Sequence, residues 1–185
     1  MAAAAGPSPA SNSGSADASV PFRSLSVPTP GPGQGSSPGF GRVWLSSMPG
    51  RLEPWPRFLA EAREKALDQV LCLNPLFEIE RLSPDYAQAI RAGTLPFRWT
   101  HLPMQDFGLA GELDAYRRAI DDVAATVRAQ GSVLLHCAAG IGRTGTTAAC
   151  LLKTLGVDTA VALQRVLDAG SNPESALQRG LIDSF

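Results

Sequence analysis

The ten residues HCAAGIGRTG, His136 to Gly145, decide the fold of this chain, because they admit two incompatible readings. The last six, GIGRTG, fit the G-x-G-x-x-G pattern in which a strand-to-helix turn cradles a dinucleotide pyrophosphate. The first eight instead set a cysteine, five residues and an arginine in a row. One reading makes the stretch a cofactor holder; the other makes it an active site with its own nucleophile.

The flanking sequence separates them. Upstream, SVLLH is a short apolar run that reads as a buried strand; downstream, TGTTAACLLKTLG is apolar almost all round, is stopped by Gly156, and reads as a buried helix. Two more helices follow, one from Asp158 to about Ala169 and one opened by Asn172 and Pro173, with no strand signal between them. A dinucleotide site requires a second strand and an acidic ribose ligand about 20 residues on. Asp158 stands near that distance but reads as a helix cap. The dinucleotide reading fails on its context.

Further out, strand and helix patterns alternate, which predicts an α/β fold: a central, mainly parallel sheet flanked by helices, with the decisive loop between a strand and a buried helix. GRVWLSS, DQVLCL and FRWTHLPM read as strands, and PWPRFLAEAREKAL as a helix. SPDYAQAIRAG carries a Ser83 cap, Pro84 at the first helical position and a Gly93 stop. From Glu112 to Gln130, Leu113, Tyr116, Ile120, Val123 and Val127 recur at helical spacing and Gly131 ends the pattern.

Composition divides the 185 residues in two. Of the first 38, 28 are Ala, Gly, Pro or Ser, which predicts a disordered tail over 1–38 and one domain over 39–185. The start lacks the basic and apolar segments of a secretory signal, and no apolar run approaches a membrane span. A net charge of −1 supplies no basic field for nucleic acid. The expectation is a monomeric cytoplasmic protein with no nucleic-acid or membrane partner. Cys72, Cys137 and Cys150 show no metal-type spacing, so no metal and no cofactor is expected, and reduced thiols fit a cytosol.

The second reading gives each residue of the loop a task. Cys137 would sit at the carboxyl end of a parallel strand and the N-terminus of a helix, where the dipole and unpaired N–H groups favour a thiolate. Ala138, Ala139, Gly140, Ile141 and Gly142 are small or flexible apart from Ile141, so the backbone can curl with its N–H groups inward as an anion nest. Arg143 can take two oxygens of a phosphate at once. Thr144 can donate its hydroxyl to the thiolate.

His136, Cys137, Gly140, Arg143 and Thr144 together resemble the H-C-x-x-G-x-x-R-[S/T] motif of the cysteine-based protein tyrosine phosphatases. The resemblance implies a phosphatase acting through a phosphocysteine, with an upstream aspartate as proton donor. HLPMQDFGLA is similar to the P-x-x-D-x-G acid loop of the small dual-specificity enzymes, which makes Asp106, 31 residues before Cys137, the candidate acid. Glu112 and Asp114 are the fallback acids. Gln105 and Ala110 depart from prolines common in that loop. VLCLNPLFEIE is similar to the strand and acidic turn of kinase-associated and small bacterial members, and NPESALQRGLIDSF to a terminal segment in which a glutamine, here Gln178, faces the site.

The order of acid and nucleophile and the size of the domain imply the compact dual-specificity branch, with phosphotyrosine and phosphoserine or phosphothreonine in proteins as substrates. Ala138, Ala139 and Ile141 stand where lipid-selective members carry lysines. A rhodanese-like sulfur transferase and a non-catalytic phosphate-binding module are the alternatives. Cys72 reads as an ordinary buried strand residue, yet it falls near the carboxyl end of its strand, level with Cys137, and related phosphatases keep a cysteine there. Peroxide is then expected to give a Cys72–Cys137 disulfide.

Overall fold

The computed structural model describes residues 22–28, 39–106 and 112–185. Its sheet has the order β1 (Arg23–Leu25), β2 (Arg42–Ser46), β5 (Ser132–His136), β3 (Gln69–Cys72), β4 (Arg98–His101). Strands β2 to β5 run parallel and β1 is antiparallel to β2. The central strand β5 is buried along its whole length, as its unbroken apolar run requires of a strand covered on both faces.

Strand alternation sorts the core. Val43, Leu45, Leu71, Val133 and Leu135 pack with α4 (Leu113–Arg128), α5 (Gly142–Thr154), α6 (Thr159–Asp168) and α7 (Ala176–Asp183) on one face. Val70 and Leu134 pack with α1 (Trp55–Glu64) on the other, where Cys72 joins α2 (Leu76–Leu82) and α3 (Pro84–Ala92). At the amino end of the strands, Arg98 donates to Asp122 (2.7 Å), Gln69 (2.8 Å) and Thr126 (2.7 Å), tying α4 to the edge of the sheet. The opposite, carboxyl end is left to the loop after β5.

Most elements fall where the sequence places them, with four departures. Residues 23–25, assigned by composition to the tail, form β1, in the register Arg23↔Leu45 and Leu25↔Val43. Leu25 is buried on the α4–α5 face and Phe22 packs at a tilt against Trp44 and Phe58 on the other, so a short alternating segment docks despite its Ser- and Pro-rich surroundings. The acidic turn after β3 is the helix α2. Ser83 stands at the N-cap of α3 as expected, but its hydroxyl makes no capping bond and donates instead to the Pro49 carbonyl at 2.7 Å. Asp158 does cap α6, accepting from the Ala160 N–H at 2.9 Å. The last helix opens at Ser175 rather than at Asn172 and Pro173.

Candidate active site

The loop between β5 and α5 stands at the carboxyl end of the sheet, with Cys137 first and Arg143 and Thr144 in the opening turn of α5. Cys137 is buried, and its Sγ accepts the Gly140 N–H at 3.2 Å. Gly140 takes the left-handed φ of 75°, and a Cβ there would collide with the Ser46 carbonyl, so only glycine permits this curl. Ala139 and Ile141 are exposed on the rim, whereas Gly140 and Gly142 are buried. With the N-terminus of α5 behind it, the loop is built to hold an anion.

Arg143 is buried and shared between two tasks. Its Nη1 and Nη2 donate to Oε1 and Oε2 of Glu78, both at 3.0 Å, and Nη1 also donates to the Met104 carbonyl at 3.1 Å. Nη2 lies 3.4 Å from Asp106 Oδ1. The Nε–H is buried with no hydrogen-bond partner among the described residues. The edge formed by Nη1 and Nη2 is therefore held by Glu78, and a bidentate anion at the edge formed by Nε and Nη2 would take the unbonded Nε–H and share Nη2 with Asp106.

Glu78 comes from α2, 65 residues away. Burial pushes its carboxyl up, but the Arg143 fork and the Asn74 amide (2.7 Å) outweigh this and hold it below the usual carboxylate range. Arg143 shifts the other way: burial opposes its charge, and the Glu78 bond with the nearby Cys137 and Asp106 charges raises its pKa.

Asp106 is brought to this site from a mostly exposed position, by a segment fastened to the end of β3 through Leu102 N–H to Cys72 O (2.9 Å) and Met104 N–H to Leu73 O (3.0 Å). Gly108 and Ala110 of its loop lie outside the described residues. Glu112 and Asp114 are exposed at the start of α4.

His136 is fully buried behind the nucleophile. Trp99 donates to the Tyr86 hydroxyl at 2.8 Å, which meets His136 Nε2 at 3.0 Å. Burial pushes the imidazole pKa down to about 3, the polar Cys137 backbone beside it opposes the shift, and the charges of Arg143 and His101 add to the depression. His136 is thus a neutral strut at the base of the loop.

Three expected residues have other surroundings. The Thr144 hydroxyl is buried without a hydrogen-bond partner among the described residues and makes no bond to Cys137. Gln178 is buried, and its Oε1 accepts the Glu174 N–H at 2.7 Å while its own N–H reaches Ser175 Oγ at 3.2 Å; this closes the N-terminal turn of α7. Cys72 pairs in register with His136, and its side chain packs with Met48, Ile79 and Tyr86, on the face opposite the cluster that holds Cys137. Burial pushes its thiol up to about 12. The charge of Cys137 adds to that rise, so the two thiols lie within electrostatic reach of each other.

Sequence reasoning missed Glu78, Met104 and Tyr86, together with Arg23, Arg51 and Ser171, whose side chains bond loop carbonyls. Glu78 had one local signal, an acidic residue in a segment already compared with known phosphatases. The others have none. Among the described residues no three His, Cys, Asp or Glu side chains cluster as a metal site, and no helix is long and apolar enough to cross a membrane.

A family model described as polymorphic toxin system, DSP-PTPase phosphatase, matches residues 46–157. Among solved structures, the chain is similar to kinase associated phosphatase with its catalytic-site cysteine replaced by serine: 16% identity over 78% of this chain and 85% of that one, TM-score 0.68. It is similar to Tk-PTP in the active form, at 25% identity over 78% and 90% of the two chains and TM-score 0.61. It also resembles the human tyrosine phosphatase-like serine/threonine/tyrosine-interacting protein, at 16% identity over 77% and 89% and TM-score 0.61. No curated protein sequence matches.

Proposed function

Since the chain belongs to the DSP-PTPase phosphatase family of polymorphic toxin systems and is a phosphatase, we propose that Cys137 is its nucleophile, Asp106 its acid and Arg143 its phosphate clamp. The observation that carries this assignment is the guanidinium of Arg143, gripped on one edge by Glu78, with its Nε bonded to none of the described residues and its charge set beside Cys137 and Asp106.

Sγ of Cys137 attacks phosphorus in line as the bond to the leaving oxygen breaks, and Asp106 gives that oxygen its proton. Water then attacks the phosphocysteine; its proton passes to Asp106, the sulfur–phosphorus bond breaks, and phosphate leaves with the thiolate restored. The loop N–H groups and the Nε–Nη2 edge of Arg143 bind the equatorial oxygens throughout, which is where most stabilisation in phosphoryl transfer lies.

The substrates on this reading are phosphotyrosine and phosphoserine or phosphothreonine in proteins. The free thiols of Cys72, Cys137 and Cys150 fit action in a reducing compartment, the cytoplasm. Hydrolysis of p-nitrophenyl phosphate with a metal chelator present tests the assignment. Wild type should turn over and Cys137→Ser should not, while still binding the ester. A Cys137→Ser variant as active as wild type would overturn it. A panel of phosphopeptides then ranks the residue types.

A further inference from the structure

Arg23 lies outside the segment that matches the family. Because β1 is antiparallel to β2, its N-terminal end lies at the carboxyl end of the parallel strands, where the loop begins. Arg23 alternates onto the same face as Leu25, which shares its cluster with Cys137. Its guanidinium donates to the Gly140 carbonyl through Nη2 and to the Gly170 carbonyl through Nη1. The Ser171 hydroxyl donates to the same Gly140 carbonyl at 2.7 Å.

A trans peptide is planar, and its C=O and N–H point in opposite directions. The Gly140 carbonyl and the Ile141 N–H belong to one such unit. Two donors seated behind that carbonyl therefore aim the Ile141 N–H away from them, toward the inside of the loop. The preceding N–H, that of Gly140, already faces Cys137 Sγ at 3.2 Å. The same relation recurs one peptide pair earlier. The Ala138 carbonyl accepts from Arg51 Nη1 (2.5 Å) and from the Met48 N–H (3.3 Å), which turns the Ala139 N–H inward. Peptides flanked by glycine turn easily, so a loop of small residues needs such external holds.

We propose that Arg23 is a positioning residue of the phosphatase: by holding the Gly140 carbonyl from outside, it keeps the Ile141 N–H aimed at the phosphate oxygens. It does not touch substrate. The proposal rests on the reading of the Cys137 loop as the phosphate site. Arg23 and the nucleophile also sense each other: burial pushes the Arg23 pKa down, and the negative charge of Cys137 opposes that.

The test compares wild type with Arg23→Ala, Arg23→Lys and Ser171→Ala, reading the inhibition constant of inorganic phosphate, kcat and Tm. Arg23→Ala should weaken phosphate binding about tenfold, the equivalent of about 1.4 kcal/mol. Arg23→Lys, which keeps a charged donor, should recover part of it. Ser171→Ala, which removes the other donor from the same carbonyl, should shift phosphate binding the same way and keeps the test alive if Arg23→Ala does not fold. Arg23→Ala with phosphate binding within twofold of wild type would overturn the proposal, as would Lys no better than Ala with Tm and activity falling together. Wild type without turnover would instead strike the phosphatase assignment of this loop.

Discussion

Glu78 and Arg143 face each other across two bonds of 3.0 Å each, and both are buried at the floor of the loop. Removing one partner of such a pair leaves a buried charge uncompensated, which costs about 3–5 kcal/mol. Glu78→Ala should therefore lower Tm sharply. Glu78→Gln keeps the shape and loses the charge, and its kcat/KM should fall about 10–100-fold through a misaligned clamp. Full activity in Glu78→Gln would show that Arg143 needs no such grip.

Asp106 reaches Arg143 Nη2 at 3.4 Å, while Glu112 is exposed at the start of α4. Asp106→Asn should lower kcat by ~10²–10⁴ and flatten the basic limb of the pH–rate profile. The assignment fails if this variant stays fully active while Glu112→Gln does not.

His136 has its pKa pushed from the usual 6.5 to about 3, so between those values a proton binds only the unfolded chain. Its contribution to stability is full above pH 6.5 and is lost as the pH falls toward 3. Glu78, depressed from 4.5, adds a loss only at and below the carboxylate range. Between pH 6.5 and 4.5 the decline of Tm should thus belong to His136. His136→Gln should show a lower Tm at pH about 7.5 but a shallower slope below it. Equal slopes in the two proteins would remove His136 from the acid sensitivity.

Cys72 and Cys137 pack in core clusters that lie on opposite faces of the sheet. Mild peroxide should therefore carry Cys137 past the sulfenic acid to the sulfinic acid, with Cys72 recovered as a free thiol on peptide mapping. A Cys72–Cys137 disulfide whose reduction restores activity would contradict this and return Cys72 to the resolving role expected from its strand position.

The loop was legible because its chemistry is local: cysteine, glycine and arginine at fixed spacing, between an apolar strand and an apolar helix, describe an anion nest without reference to the rest of the chain. Asp106 was suggested by a second local pattern, and the fold sets it 3.4 Å from Arg143 Nη2. Glu78 and Arg23 were not, because each acts through a contact made only when distant strands lie side by side. Nothing in LFEIE distinguishes a carboxylate that grips a guanidinium from one in water. Arg23 was hidden further by composition. Leu25 and Val27 carry a period of two, but averaging over the Pro-, Gly- and Ser-rich residues around them erases it. Gln178 shows the opposite case, a residue whose position suggested the site and whose Oε1 and backbone N–H bond within the first turn of its own helix.

The antiparallel pairing of β1 also bears on how the molecule matures. Arg23 and Gly140 are 117 positions apart, and Arg23 and Gly170 are 147 apart. A ribosome releases the strand long before it makes the loop that the strand braces, and such distant contacts close late in folding. A growing chain that already contains HCAAGIGRTG still lacks Gly170 and Ser171. Competence for phosphate would then arrive only after Gly170 and Ser171 have been made, as one step with closure of the sheet, and phosphate binding becomes a readout of this domain's completed folding.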